Sequence, residues 1–220
     1  MTFMFMPPHP NHHRFLMHRL FTSIGFLNLA FAGMIFAQAD KPLLHQTTLP
    51  LISAPSFAEP LGTPFVTAKG QWIPADGVLN VVDIPKEKHI PVLHHNAGLA
   101  SAVIELEFRW DGLGSVLVGC DSDKHVGRVI INAKGLSIAE DSVKPSHNIA
   151  QLPLAVKQGE WHKLRVEWRG DQMAARLDGL ELRAQHTFLA TAKARSWLAA
   201  SPSVKVRDLK IYGEVASSKP

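Results

Sequence analysis

The chain holds a single cysteine, Cys120, so no intramolecular disulfide can form. Its stability must come from burial, and a lone thiol in the apolar run Val116–Cys120 reads as a small buried side chain before it reads as a nucleophile. Net charge is also scarce. The formal balance is +4 over 220 residues; without Arg14 and Arg19, the only Lys or Arg before Asp40, 21 basic side chains face 19 acidic ones. The basic residues alternate with acids instead of clustering, which excludes the basic stripe of a nucleic-acid binder. Internal repeats are absent, and so is helical periodicity beyond the N-terminus. Both absences leave one all-β domain as the expectation.

The one long apolar run, Leu20 to Ala37, follows Arg14, His18 and Arg19 and closes on Ala37-Gln38-Ala39. That is the layout of a secretory signal with an Ala-x-Ala site. Residues 1–39 are therefore expected to be cleaved, leaving a secreted or periplasmic protein that starts at Asp40 and has no membrane attachment. An uncleaved anchor is the alternative, weakened by Gly25, Asn28 and Gly33. No Cys follows the run, against a lipoprotein anchor. Pro42, Pro50, Pro55 and Pro60 suit an extended linker over 40–63, ahead of a domain over 64–216 and a tail over 217–220.

Within the domain the dominant signal is alternation. Ile104, Leu106, Phe108 and Trp110 alternate with Val103, Glu105, Glu107 and Arg109, and Leu164, Val166 and Trp168 alternate with Arg165, Glu167 and Arg169. Such a period places one face of a strand in a core and the other in water. Asp76-Gly77, Gly170-Asp171 and Asp178-Gly179 supply hairpin turns. The segment 86–96, with His89, His94 and His95 among prolines, reads as an irregular connection. Residues 141–151 read as a polar loop, and 189–198 as a loop with a helical turn. About a dozen short strands at this spacing predict two antiparallel sheets packed about 10 Å apart, a sandwich or jelly roll.

Four stretches carry a family likeness: Trp72 to Leu79, Glu105 to Arg109, Lys124 to Ile130, and Gly159-Glu-Trp-His-Lys-Leu-Arg-Val166 with the later Asp178-Gly179. Together, over roughly 65–215, they resemble concanavalin A-like jelly rolls, nearest the bacterial 3-keto-disaccharide hydrolase family. The resemblance implies two curved antiparallel sheets with a hollow face that receives carbohydrate. The family's Asn-Ser-Gly-Ile-x-Phe-Arg strand is replaced here by Gly114-Ser-Val-Leu-Val118.

A 3-keto-glycoside substrate needs a base for the hydrogen beside the ketone and a cation for the enolate. His125 is the candidate base, Arg128 the candidate cation, and Glu107 the third catalytic candidate. Glu105, Arg109 and Asp123 are candidate substrate-binding residues. Glu105 and Glu107, about 7 Å apart on one strand face, also match the paired carboxylates of ordinary glycoside hydrolysis. The plain alternative makes them a solvated strand face, with Arg128 pairing to one of them across strands. No metal or cofactor is expected. Ca²⁺ at Asp121, Asp123 and His125 is the alternative to a polar hairpin there. Trp161 and Trp197 could stack on sugar rings, whereas Trp110 and Trp168 share the core side of their strands. A non-catalytic lectin-like module and a structural or adhesion domain of the cell envelope are the rival readings.

Overall fold

The computed structural model describes residues 43–45 and 48–216; the expected signal segment and the tail lie outside the described residues. Fifteen strands are described and no α-helix. In chain order they are β1 (Leu51–Ser53), β2 (Phe65–Lys69), β3 (Gln71–Ala75), β4 (Val78–Val82), β5 (Val92–His95), β6 (Leu99–Arg109), β7 (Ser115–Asp121) and β8 (His125–Asn132). There follow β9 (Gly135–Glu140), β10 (His147–Leu152), β11 (Trp161–Arg169), β12 (Gln172–Leu177), β13 (Leu180–Gln185), β14 (Arg195–Ala200) and β15 (Lys205–Val215).

Alternation drives the architecture. In β6 and β11 the apolar set Ile104, Leu106, Phe108, Leu164, Val166 and Trp168 is buried, and the charged set faces out. The strands form an eight-stranded sheet, β13-β12-β11-β6-β15-β4-β3 with β1 also on β15, and a seven-stranded sheet, β10-β9-β8-β7-β14-β5-β2. Every pairing is antiparallel. The result is a two-sheet jelly-roll sandwich. Asp178 and Gly179, at φ 48° and 90°, make the β12–β13 turn, where both central residues must be left-handed.

The inward faces meet in one core that includes Leu79, Phe108, Trp110, Val118, Cys120, Ile131, Ile138 and Trp168. Burying each large apolar side chain contributes about 1.5–3 kcal/mol, so a core this extensive needs no disulfide. Burial pushes the Cys120 thiol up to about 12, which keeps it protonated and inert.

Four segments differ from the sequence expectation. Within the expected linker 40–63, β1 pairs with β15 and Phe57 is 1 % exposed. Residues Leu43 to His45 are tied down by Glu167, which accepts from the Leu43, Leu44 and His45 amides at 2.9, 2.7 and 3.3 Å. The supposed irregular connection at 86–96 contains β5, an interior strand between β14 and β2. The expected polar loop 141–151 ends in β10, and 189–198 yields a short 3₁₀ turn, Thr187–Ala190, followed by β14 at the heart of the seven-stranded sheet.

Candidate functional site

The outer face of the seven-stranded sheet carries an open groove of about 360 Å³. Register explains how distant residues meet there. His94 on β5 lies opposite Trp197 on β14, Trp197 opposite Gly119 on β7, and Gly119 opposite Arg128 on β8. One row across four strands thus holds an imidazole, an indole, a bare backbone position and a guanidinium. A Cβ at Gly119 would collide with the Trp197 ring, so the glycine is what lets the indole lie flat across the sheet. Leu117, Val92 and Ala199 complete an apolar floor; Lys69, His89, His94, His125 and Arg128 supply the rim.

Asp121 organises one end. It is 4 % exposed, and Oδ1 accepts from Nδ1 of His125 at 2.7 Å and from Nε1 of Trp197 at 2.5 Å. Nε of Arg195 donates to Oδ2 at 3.3 Å. Burial acts to raise the Asp121 pKa, yet the bonds from His125 and Trp197 and the nearby positive charge outweigh it and hold the carboxyl below its ordinary value. The reciprocal effect is seen in His125, whose bond to Asp121 raises its pKa against its own partial burial. His94 behaves oppositely: burial first, then the Arg195 charge, lower its pKa. Arg128 pairs with Oδ1 of Asp141 at 3.0 Å and donates to Ser146, whose hydroxyl donates to the same Asp141 oxygen at 2.6 Å.

The structure therefore brings His125 and Arg128 into one groove and separates them from the other candidates. A bulge between Cys120 and Asp121 places His125 opposite Asp121 at the start of β8. Glu105, Glu107 and Arg109 lie on β6, in the opposite sheet, with side chains directed away from the core. The whole sandwich stands between them and the groove, so the expected trio His125, Arg128 and Glu107 does not assemble. Glu107 accepts from Arg207 at 2.6 and 2.8 Å, and Glu105 pairs with Arg165. The Arg109 guanidinium sits 5.7 Å from the Trp161 ring centre, with Arg207 at 4.1 Å. Asp123 is exposed at the β7–β8 turn, where it accepts from the Ser122 hydroxyl at 2.8 Å. Asp121 points into the His125–Trp197–Arg195 cluster instead. The two carboxylates diverge, and among the described residues no three His, Cys, Asp or Glu side chains gather for a metal. His95 is likewise turned from His94 into the core, bonded to Ser53 at 2.9 Å.

Sequence reasoning set His89 and His94 aside as residues of an irregular connection, passed over Lys69 and left the site role of Trp197 open. The available signal was Gly119 within an otherwise apolar strand, which marks a close approach by another group. Its partner could not be named without strand order.

No protein-family model matches the sequence, and neither does any curated protein. Solved structures do resemble it in fold. The exoplasmic/lumenal domain of VIP36, in its metal-free form, gives a TM-score of 0.54 at 9 % identity, covering 74 % of this chain and 91 % of that one. Domain 4 of AbnA, an extracellular GH43 arabinanase from Geobacillus stearothermophilus, gives 0.53 at 13 % identity, covering 78 % and 96 %. A sialidase gives 0.50 at 8 % identity, covering 68 % of this chain, which spans only 17 % of the sialidase. At these identities the likeness is one of fold: this chain is built as a jelly-roll sandwich of the kind seen in the VIP36 domain and in domain 4 of AbnA.

Proposed function

We propose that this chain is an exported jelly-roll domain that engages a saccharide in the groove on its seven-stranded sheet. Fold carries no function by itself, so the argument rests on the site. The single observation that supports it is an apolar floor built on Trp197 and Gly119, ringed by convergent hydrogen-bonding side chains, in an open groove of about 360 Å³. A saccharide has the same two-sided character, with C–H faces for the floor and hydroxyls for the rim. Domain 4 of AbnA was solved in complex with arabinotriose, so this architecture can accommodate such a ligand. Glycan binding by the purified protein, weakened tenfold or more in His94→Ala by order of magnitude, is the expected result. Failure to bind any saccharide contradicts it.

Hydrolysis of a 3-keto-disaccharide is the second reading, favoured by one observation: His94, whose pKa burial lowers, shares the groove with Arg128. In this reading His94 removes the C2 hydrogen and the electrons pass to the ketone oxygen, where Arg128 stabilises the enolate. The enolate then expels the glycosidic oxygen, which takes a proton from the protonated form of His125, and water adds to the resulting enone. Asp121 raises the pKa of His125, which suits it to donate a proton, in place of the base role expected from sequence. Release of 3-keto-glucose, abolished in His94→Ala, supports this reading; binding without turnover leaves a lectin-like module.

A further inference from the structure

We infer that the saccharide is an oligomer carrying carboxylate or sulfate ester groups, an inference that rests on the saccharide reading of the groove. The ionisable side chains lining the groove are Lys69, His89, His94, His125 and Arg128, and no Asp or Glu is among the lining residues. The acids nearby are already engaged behind it. Asp121 is buried against His125, Trp197 and Arg195, and Asp141 accepts from both Arg128 and Ser146.

Position argues for repeated charges. Lys69 is on β2 and Arg128 on β8, four strands apart in the order β8-β7-β14-β5-β2. At about 4.8 Å per strand their backbones are separated by about 19 Å, so fixed cations stand at opposite ends of the groove. The histidines lie between and beside them. His89 donates through Nδ1 to the Ile90 carbonyl at 2.6 Å, so its free Nε2 accepts when the ring is neutral and donates only when the ring is protonated. A neutral sugar could accept from Lys69 and Arg128 without offsetting their charge. A chain with an anionic group near each end does both, and charge-assisted bonds are about twice as strong as neutral ones.

The test is a glycan array that pairs each uronate or sulfated oligosaccharide with its neutral counterpart, probed with the purified protein at about 50 and about 500 mM NaCl, where screening lengths differ severalfold. Preference for the acidic member by about tenfold or more, shrinking at high salt, is expected. Retention of carboxylated members alone identifies uronates; retention of sulfated members alone identifies sulfate esters; either result supports the inference. Lys69→Gln, on the edge strand β2, and Arg128→Gln should each lower the acidic-to-neutral ratio several-fold, and the first does not disturb the Asp141 pair. Equal binding of both members, or binding of neutral members alone, overturns the inference and leaves the saccharide reading standing. Binding of none overturns both.

Discussion

The Trp197 indole lies across Gly119 of the neighbouring strand, in the space that a Cβ would occupy, and donates to Asp121 at 2.5 Å. One glycine and one carboxylate thus fix the floor of the groove. Gly119→Ala should lift the ring, costing about 1–3 kcal/mol in stability and changing the tryptophan fluorescence. Denaturant unfolding of the variant checks this; an unchanged midpoint and spectrum would show that the indole does not rest there.

Asp121→Asn removes the charge that His125 answers. The imidazole should titrate above its ordinary value of about 6.5 in the parent protein and fall in the variant, as read by NMR of the ring protons. Because the folded pKa is raised, this bond's contribution to stability is complete below the unfolded pKa and disappears as pH rises through the folded one. An equal His125 pKa in both proteins would refute the pairing.

His95 gives the opposite sign. Burial in the core lowers its pKa, so below about pH 6.5 the unfolded chain binds a proton that the folded chain refuses, and stability falls with pH until the folded pKa is reached. His95→Gln should flatten the stability profile between about pH 7 and pH 5 relative to the parent. Parallel profiles would sink the idea.

Glu167 is fully buried yet held ionised. Burial pushes its pKa up, but the Leu43 and Leu44 amides and the Arg165 guanidinium more than offset this. Its contribution is present above the unfolded carboxylate pKa and lost as pH falls through the lowered folded value. Glu167→Gln should cost about 1–3 kcal/mol and speed amide exchange at Leu43 to His45, with exchange elsewhere in the sheets little altered. Unchanged exchange at those three amides would contradict the anchoring.

Strands with one wet face were legible in the sequence, because β6 and β11 alternate greasy and charged residues. β14 was not: Ser196 to Ala200 are buried on both faces of the sheet, so no period of two survives, and Trp197 looked like part of a loop. β5 was hidden by Pro91 and its two histidines. For the site, His125 and Arg128 were found because they are close in sequence. Glu105, Glu107 and Arg109 were grouped with them because a charged strand face reads alike on either sheet, and periodicity does not reveal which sheet a strand joins. The likeness of β6 to a catalytic strand dissolves once Glu107 is seen bound to Arg207 on the far side of the sandwich.

The most direct test of the central claim is a ¹H–¹⁵N chemical-shift map of the protein titrated with an oligosaccharide retained on the array. The account predicts saturable shifts at the Trp197 indole N–H, His94, Gly119 and Arg128, with the outer face of β6, β11 and β15 undisturbed. Shifts centred on Glu107, Trp161 and Arg207 instead would place the binding surface on the wrong sheet and contradict it.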